Sequence, residues 1–488
     1  MSGAEVELLG GVPTSLLIAG QWQDSSDGES FSVEDPSTGR TLATVASAGP
    51  TDGMRALDAA VESSAAWESA SPRCRSEILR RAWELLQERA DDFALLMSLE
   101  MGKPLAEARG EVGYGGGFFR WFSEEAVRHP GRFARNPEGT GSTVISYRPV
   151  GPSFLITPWN FPLAMATRKI APALAAGCTV VIKPAELTPL TTLLLGQLLI
   201  DAGVPPGVVN ILPTGRSQGT SAPIIADPRL RKLSFTGSTE VGRHLLRQAA
   251  EGVLRTSMEL GGNAPFLVFE DADLDAAVDG AMVAKFRNIG QACTAANRFI
   301  VHESVVDEFS SRVTERVRAL RVGRGTDAST DIGPLINSAA VDNCAALVED
   351  AVTHGARIAL GGKRLTGAGH FFEPTVVTGL SQSARMMREE IFGPLLGVTS
   401  FADDREAIDI ANATEYGLVS YAYTRDLDRA HGLIGEIETG MMGINTGLVS
   451  NASAPFGGVK LSGLGREGGS EGLLEYLAPK YTLLAGRS

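Results

Sequence analysis

The stretch LRKLSFTGSTEVGRHLLRQAA, residues 230–250, runs from an apolar segment through a glycine turn into apolar residues at helical spacing. The same strand, turn and helix order occurs upstream, where SFLITPWN (153–160), TVVIKP (179–184) and VVNILP (208–213) alternate with helical segments. This alternation predicts a parallel sheet wrapped by helices. Such sheets commonly bind nucleotides at the carboxyl ends of their strands.

The rest of the chain divides around this unit. Residues 16–48 predict short strands, and residues 53–127 predict long packing helices. Residues 129–150 change to an extended, alternating pattern that predicts an excursion from the helical body. A second α/β run covers about 262–450, so we expect two α/β domains with a cleft between them.

Composition limits the class of protein. The 488 residues exceed the size of a single core, and the net charge of −13 argues against general electrostatic binding of nucleic acid. Four widely spaced cysteines without a CxxC pair fit a reducing compartment. No apolar run approaches the roughly 20 residues of a membrane span. We expect a soluble cytoplasmic protein with neither a nucleic acid nor a membrane partner.

One cysteine stands in an unusual setting. Cys293 lies in FRNIGQACTAAN (286–297) among small residues, which leave space and backbone N–H groups near a sulfur atom. A core cysteine in a loop is the alternative. Because the chain has no stretch that resembles a Cys-His protease signature, a partner for the thiol has to come from other groups.

Glu259 and Asn160 are two polar residues that could act together with the thiol. Glu259 precedes a Gly-Gly turn at the predicted domain junction, where a carboxylate can activate water. Asn160 ends a predicted strand between two prolines, and its amide can donate to an oxyanion. Alternatively, Glu259 is a solvated side chain at the junction, and Asn160 is an ordinary turn residue.

The predicted nucleotide site rests on two junctions. Gly237 and Ser238 begin a helix whose free N–H groups can hold a pyrophosphate, although a capped glycine turn explains the same pattern. Lys183 and Glu186 follow a strand and can bind the hydroxyls of an adenosine ribose. Alternatively, Lys183 and Glu186 form a solvated charge pair on a loop and bind no nucleotide.

Taken together, WNFP, FTGSTEVG, MELGGNAP, FRNIGQACTAAN and EEIFGP, which stand in family order along the chain, resemble the aldehyde dehydrogenase superfamily over almost the whole chain. The resemblance implies a Rossmann-type cofactor domain, an α/β catalytic domain and a small β extension for oligomerisation. We expect residues 1–128 and 150–260 to bind NAD, residues 261–465 to form the catalytic domain, and residues 129–149 and 466–488 to form a homodimer or homotetramer.

The resemblance also implies roles. Cys293 would attack an aldehyde, Asn160 would hold the oxyanion, and Glu259 would activate the water that hydrolyses the thioester. No metal is implied. The implied cofactor contacts are Thr157, Trp159, Lys183, Glu186, Gly237, Ser238, Leu260, Glu390 and Phe392. The acid at Glu186 repels a 2′-phosphate, so NAD is expected, with NADP possible.

Within the superfamily, the stretches TPWNFPLAMATRK, SFTGSTEVGR, KFRNIGQAC and GINTGLVSNASAPFGGVKLSGLGREG most resemble succinate-semialdehyde dehydrogenases. That resemblance implies that Arg168, Arg287 and Ser450 hold the distal carboxylate of succinic semialdehyde. A solvated helix face for Arg168 and a structural ion pair for Arg287 are the alternatives. Glutaric semialdehyde or a sulfonated three-carbon aldehyde would suit the same arginines. A non-catalytic binding protein on the same fold is a further alternative, although such a protein would be expected to have lost Cys293, Glu259 or Asn160. Ala295 occupies the place of a second cysteine in some members, so no redox lock is expected.

Overall fold

The computed structural model describes residues 2–128 and 131–486. Its helices are α1 (Gly3–Gly11), α2 (Pro50–Ser69), α3 (Pro72–Glu88), α4 (Ala90–Glu100), α5 (Leu105–Glu125), α6 (Ala164–Ala176), α7 (Leu190–Asp201), α8 (Ser217–Ala226), α9 (Thr239–Glu251), α10 (Leu274–Phe286), α11 (Val306–Arg318), α12 (Ser338–Thr353), α13 (Asp404–Asn412), α14 (Leu427–Glu436) and α15 (Gly469–Leu474). Short 3₁₀ turns cover Arg287–Gly290 and Arg385–Met387.

The strands are β1 (Leu16–Ile18), β2 (Gln21–Gln23), β3 (Ser30–Asp35), β4 (Arg40–Ala46), β5 (Arg132–Arg135), β6 (Gly141–Pro149), β7 (Ser153–Ile156), β8 (Val180–Lys183), β9 (Val209–Ile211), β10 (Lys232–Thr236), β11 (Arg255–Glu259), β12 (Ala264–Val268), β13 (Ala296–His302), β14 (Arg357–Leu360), β15 (Thr375–Thr378), β16 (Leu395–Phe401), β17 (Tyr416–Gly417), β18 (Val419–Tyr423), β19 (Met441–Ile444), β20 (Val459–Lys460), β21 (Gly463–Leu464) and β22 (Leu477–Ala485).

The first large sheet has the order β2-β1-β9-β8-β7-β10-β11-β21. Its central strands, β7 to β11, pair in parallel and are buried almost throughout, as expected where helices cover both faces. This confirms the predicted parallel sheet. Three of its strands come from outside residues 150–260, which predict the sheet. Two are β1 and β2 near the N-terminus, and the third is β21, which pairs with Met258 and Glu259 of β11.

The second large sheet has the order β14-β15-β16-β13-β12-β18-β19 and lies within residues 357–444 and 264–302. Its core is aromatic, with Phe266 packed near the rings of Phe299, Tyr421 and Tyr423. The two sheets meet at the junction between Glu259 and Ala264, where β11 ends and β12 begins. Two α/β units are therefore present, as the sequence predicts.

A third sheet, β22-β6-β5, is antiparallel and stands apart from the two large ones. It contains the extended excursion, and its β22 continues the chain after α15. Large apolar side chains on it are exposed, among them Phe133 at 71% and Tyr481 at 60%. The predicted oligomerisation segments include residues 129, 130, 487 and 488, which lie outside the described residues. Along the described chain, no helix is both long and apolar enough to cross a bilayer.

Candidate active site

The cysteine loop begins in a strained turn. After α10, Asn288 and Ile289 adopt left-handed backbone angles with φ of 57° and 61°, which cost side-chain-bearing residues of the order of 1–2 kcal/mol each. Asn288 offsets this cost through hydrogen bonds. Its Nδ2 donates to the carbonyls of Gln291 (2.9 Å) and Asn160 (3.0 Å), and its backbone N–H donates to Glu107 Oε2 (2.7 Å). The turn is thus fixed immediately before Cys293.

Cys293 is partly exposed and opens into a cavity of about 220 Å³, which we call the nucleophile cavity. Its lining residues are Pro158, Trp159, Asn160, Met165, Thr236, Gly237, Ser238, Leu260, Gly261, Cys293, Glu390 and Phe392. Desolvation raises the pKa of the Cys293 thiol to about 12, and the carboxyls of Glu390 and Glu259 raise it too, while Arg168 and Arg287 lower it. In this state the sulfur is held as a thiol.

Asn160 lies beside the cysteine loop. Its Nδ2 donates one hydrogen to the carbonyl of Gln291 at 3.0 Å, which leaves the second hydrogen of the amide free. The backbone carbonyl of Asn160 accepts from Lys103 Nζ at 2.9 Å. Its Oδ1 is buried with no hydrogen-bond partner among the described residues. The side chain is therefore held by one hydrogen bond, while its second Nδ2 hydrogen and its Oδ1 remain available to a ligand.

Glu259 ends β11 and is buried, and neither carboxyl oxygen has a hydrogen-bond partner in the described structure. Burial raises its pKa well above the ordinary value, and the neighbouring carboxylate of Glu467 raises it further, against the opposing charges of Arg168 and Lys169. Burial and Glu467 thus favour the protonated form of Glu259, while Arg168 and Lys169 favour the carboxylate, which is the form that can accept a proton from water.

Glu467 and Lys169 are two groups that sequence reasoning missed. Lys169 Nζ pairs with Glu467 Oε1 and donates to Ser234 Oγ at 2.8 Å. Although burial raises the pKa of Glu467, Lys169 and Arg168 hold it below its ordinary value. No local signal could have joined the lysine to a carboxylate 298 residues away.

A further cavity of about 260 Å³, the outer cavity, lies across β7, β10 and α9. It is lined by Ile156, Lys183, Ser217, Gln218, Ser221, Phe235, Val241, His244, Leu245 and Gln248. The start of α9 borders both this cavity and the nucleophile cavity, with Ser238 as its N-cap. Two cavities joined by a helix N-terminus fit a molecule with two ring systems linked by a pyrophosphate.

Most predicted cofactor contacts lie in these two cavities. Trp159 and Phe392 meet edge to face at 5.4 Å between ring centroids, and Phe392 has a positive φ of 51°. Glu390 Oε1 accepts the N–H of Gly262 at 3.2 Å, and burial raises its pKa to about 7. Leu260 lines the nucleophile cavity with them.

The remaining contacts lie on the carboxyl ends of β7 and β8. The N–H of Thr157 donates to the carbonyl of Lys183 at 3.2 Å, which ties the two strand ends together. Lys183 Nζ lies 3.8 Å from Glu186 Oε2. Lys183 is buried and lines the outer cavity, while the Glu186 side chain is 51% exposed.

Arg287 and Ser450 share a third cavity of about 200 Å³, which we call the arginine cavity. Its lining residues are Glu107, Gly110, Glu111, Tyr114, Phe161, Arg287, Asn288, Leu448 and Ser450. An apolar cluster of Phe161, Met165, Ala292 and Ala295 joins it to the nucleophile cavity, since Phe161 lines one and Met165 the other. The arginine cavity therefore adjoins the cysteine.

Arg168, predicted to act with Arg287, does not line the arginine cavity. It is buried in α6, where Nε lies 2.5 Å from Glu467 Oε2 and the guanidinium stacks 4.1 Å from the centre of the Phe456 ring. Its Nη1 is buried and has no hydrogen-bond partner within the described chain. The alternative of a solvated helix face is excluded, because every residue of α6 is buried.

The cysteine loop, the buried carboxyl and the two linked cavities define an oxidoreductase that uses a dinucleotide. The sequence pattern of the aldehyde dehydrogenase family matches residues 22–482, and the chain belongs to that family. The protein is an NAD(P)-dependent aldehyde dehydrogenase.

Individual relatives of this chain are semialdehyde dehydrogenases. The chain is 56% identical to the succinate-semialdehyde dehydrogenase of Paenarthrobacter nicotinovorans, over 91% of this chain and 99% of the relative. It is 46% identical to the NADP(+) succinate-semialdehyde dehydrogenase GabD of Escherichia coli (95% and 96% covered) and 45% identical to a glutarate-semialdehyde dehydrogenase of Pseudomonas putida (96% and 97%).

Solved structures give the same fold. A succinate-semialdehyde dehydrogenase from Burkholderia pseudomallei superposes with a TM-score of 0.96 at 46% identity, covering 97% of this chain and 98% of that one. Betaine aldehyde dehydrogenase from Staphylococcus aureus, solved in complex with NAD+, also gives a TM-score of 0.96, at 34% identity, with 99% and 97% covered. The predicted fold class is confirmed.

Proposed function

We propose that this enzyme oxidises a short aldehyde with a distal anionic group, and that succinic semialdehyde is its substrate. The observation that carries the proposal is the arginine cavity, where Arg287 and Ser450, distant in sequence, border one space beside the Cys293 loop. A guanidinium and a hydroxyl can hold a carboxylate through charge-assisted hydrogen bonds, each of about 1.5–3 kcal/mol. An uncharged aldehyde would gain none of these.

Cys293 is the proposed nucleophile. Its thiol first loses a proton to solvent. The thiolate then attacks the aldehyde carbon as the C=O π bond opens, and the free N–H of Asn160 Nδ2 together with the Cys293 backbone N–H holds the oxygen that becomes negative. The bound NAD(P)+ supplies the acceptor for the hydride that leaves that carbon. The product on the enzyme is a thioester of Cys293.

Glu259 is the proposed base for the second half of the reaction. Its carboxylate takes a proton from water, the resulting hydroxide attacks the thioester carbon, and the C–S bond breaks to release the carboxylic acid and restore the thiol. The buried cations Arg168 and Lys169 stabilise the charged form of Glu259, because both lower its pKa. Glu467 lies with them as their counter-ion.

The outer cavity is the proposed adenosine site, with Lys183 and Glu186 at the ribose and Ser238 and Gly237 at the pyrophosphate. Trp159, Leu260, Glu390 and Phe392 would then border the nicotinamide end. The carboxylate of Glu186 disfavours a 2′-phosphate, which supports NAD over NADP.

We further propose the division into an NAD-binding domain (1–128 and 150–260), a catalytic domain (261–465) and oligomerisation segments (129–149 and 466–488). The exposed apolar side chains of the third sheet support assembly through that sheet, as a homodimer or homotetramer.

A kinetic panel tests the proposed substrate. Succinic semialdehyde, glutaric semialdehyde, a sulfonated three-carbon aldehyde and butanal would each be measured with NAD and with NADP. We expect the highest kcat/KM with succinic semialdehyde and a much lower value with butanal, which has four carbons and no carboxylate. Glutaric semialdehyde is the second candidate because of the Pseudomonas putida relative. Equal kcat/KM for butanal and the semialdehydes would refute the anionic assignment.

A further inference from the structure

Among the described residues, the charged groups that line the arginine cavity are Arg287, Glu107 and Glu111. Glu111 is already neutralised, because it forms a buried ion pair with Lys103. The charge that an incoming anion meets inside the cavity therefore depends on Arg287 and Glu107.

Arg287 is the free cation of the cavity. Its guanidinium stacks over the Phe161 ring at 5.2 Å, and it forms no ion pair within the described residues. Glu107 borders the same cavity from the first turn of α5. Its Oε2 accepts the N–H of Asn288, the residue that follows Arg287, at 2.7 Å, so the carboxyl is held next to the turn that carries the arginine.

The protonation state of Glu107 therefore sets the charge of the site. When Glu107 is ionised, Arg287 is compensated, and a substrate carboxylate would add an unpaired negative charge to a poorly solvated space. When Glu107 is neutral, the same substrate carboxylate becomes the counter-ion of Arg287. Binding of an anion and binding of a proton then favour each other.

We propose that Glu107 is a proton-linked specificity residue, which takes up a proton when a carboxylate binds beside Arg287 and so couples recognition of the anionic aldehyde to pH. The inference rests on the proposed function, since it assigns the carboxylate of that substrate to the arginine cavity.

The surroundings of Glu107 place this exchange near neutral pH. Burial raises the pKa of Glu107 to about 7, while the Asn288 N–H, Lys103 and Arg287 lower it. The other titratable or charged groups that border the cavity or lie behind it are Glu111 and Tyr114 of α5 and Arg168 of α6. An anion at Arg287 adds a negative charge and raises the pKa of Glu107 further.

Calorimetry tests the coupling without turnover. The NADH-loaded enzyme would be titrated with 4-hydroxybutanoate, in which a hydroxyl replaces the aldehyde, at pH 7.5 in two buffers of different ionisation enthalpy. We expect uptake of more than about half a proton per site. Glu107→Gln keeps an oxygen for the Asn288 N–H and should bind the ligand without uptake. Glu303→Gln, at an exposed glutamate, should behave as wild type.

Kinetics give a second measure. For the wild type, KM for succinic semialdehyde should rise above pH 7, up to about tenfold per pH unit, as the competent protonated fraction falls. In Glu107→Gln this slope should vanish, and KM for butanal should stay unchanged in both enzymes. If Glu107→Gln still took up a proton, or if the wild type bound the ligand without taking one up, the role of Glu107 would be refuted while the proposed substrate would stand. Failure of 4-hydroxybutanoate to bind, with equal KM for both aldehydes, would overturn the proposed substrate as well.

Discussion

Arg168 Nε lies 2.5 Å from Glu467 Oε2, in a buried ion pair, whereas Arg287 rests on the Phe161 ring without an ion pair in the described structure. Two arginines expected to act alike are therefore not equivalent. Arg168 shares the counter-ion Glu467 with Lys169, and its Nη1 has no hydrogen-bond partner within the described chain. Arg287 has no ion-pair partner within the described residues, so its guanidinium can pair with the anionic group of a ligand when Glu107 is neutral.

Replacement of the two arginines should separate these roles. Arg287→Ala should raise KM for succinic semialdehyde by about 10- to 100-fold, the equivalent of losing one or two charge-assisted hydrogen bonds, and leave KM for butanal unchanged. Steady-state kinetics with both aldehydes measure this. A parallel rise for both aldehydes would contradict an anion contact at Arg287.

Arg168→Ala should instead show a cost in folding. It removes a partner of a buried carboxylate, which typically costs up to about 3–5 kcal/mol, partly relieved here because Lys169 still pairs with Glu467. Urea unfolding would measure the change in the free energy of unfolding. Arg287→Ala serves as the matched control, because no ion pair is lost there. An equal loss of unfolding free energy in both variants would contradict a structural ion pair at Arg168 alone.

Cys293→Ala should abolish dehydrogenase turnover, since no other thiol in the described structure borders the nucleophile cavity. NAD binding, followed by quenching of tryptophan fluorescence, should persist because Trp159 and Phe392 are untouched. Cys344→Ala, at a buried thiol outside that cavity, is the control. Turnover by the Cys293 variant would remove the proposed nucleophile.

Glu259→Gln should keep a burst of NADH but lose steady turnover, because only hydrolysis of the thioester needs the base. Burial raises the pKa of Glu259, so the wild type should gain hydrolysis rate as pH rises and the carboxyl loses its proton. Stopped-flow absorbance at several pH values separates the two phases. Loss of the burst would show that Glu259 also acts in thioester formation.

Glu186→Gln should improve the use of NADP. Removal of one negative charge near the proposed ribose site should lower KM for NADP by about tenfold, with a smaller effect on NAD. The side chain is 51% exposed, so the gain should shrink at high salt. Unchanged preference would place the ribose away from Glu186.

Assembly should depend on the third sheet. Tyr481→Glu adds a charge to a side chain that is 60% exposed, and it should shift the enzyme toward smaller species in sedimentation velocity. Val253→Glu, at a side chain 89% exposed on another surface, is a control for the added charge. An unaltered sedimentation coefficient for Tyr481→Glu would exclude this face as the interface.

The sequence predicts the parallel sheet well because its strands and helices are local patterns. Apolar runs such as TVVIKP become β8, and the helix after the Gly237 turn becomes α9. These features depend on residues that are close in the chain. Asn160 and Cys293 are far apart, and their placement in one cavity is expected only from the resemblance of their motifs to the aldehyde dehydrogenase family.

Charge pairing could not be predicted in the same way. Helix α6 is buried on all sides, so Arg168 and Lys169 need counter-ions that only the folded chain supplies. Glu467 approaches them from a remote segment, and Glu107 reaches the cysteine loop through Asn288, 181 residues further along. No periodic pattern marks such contacts.

The distance between Lys169 and Glu467 also bears on synthesis. A ribosome must add 298 residues after Lys169 before its carboxylate partner exists, and β21, which closes the edge of the first sheet, is made equally late. Until that point Arg168 and Lys169 lack their ion-pair partner Glu467, and β11 lacks its neighbour β21. The native ion pairs of α6 and the complete first sheet can therefore form only after residue 467 has been synthesised.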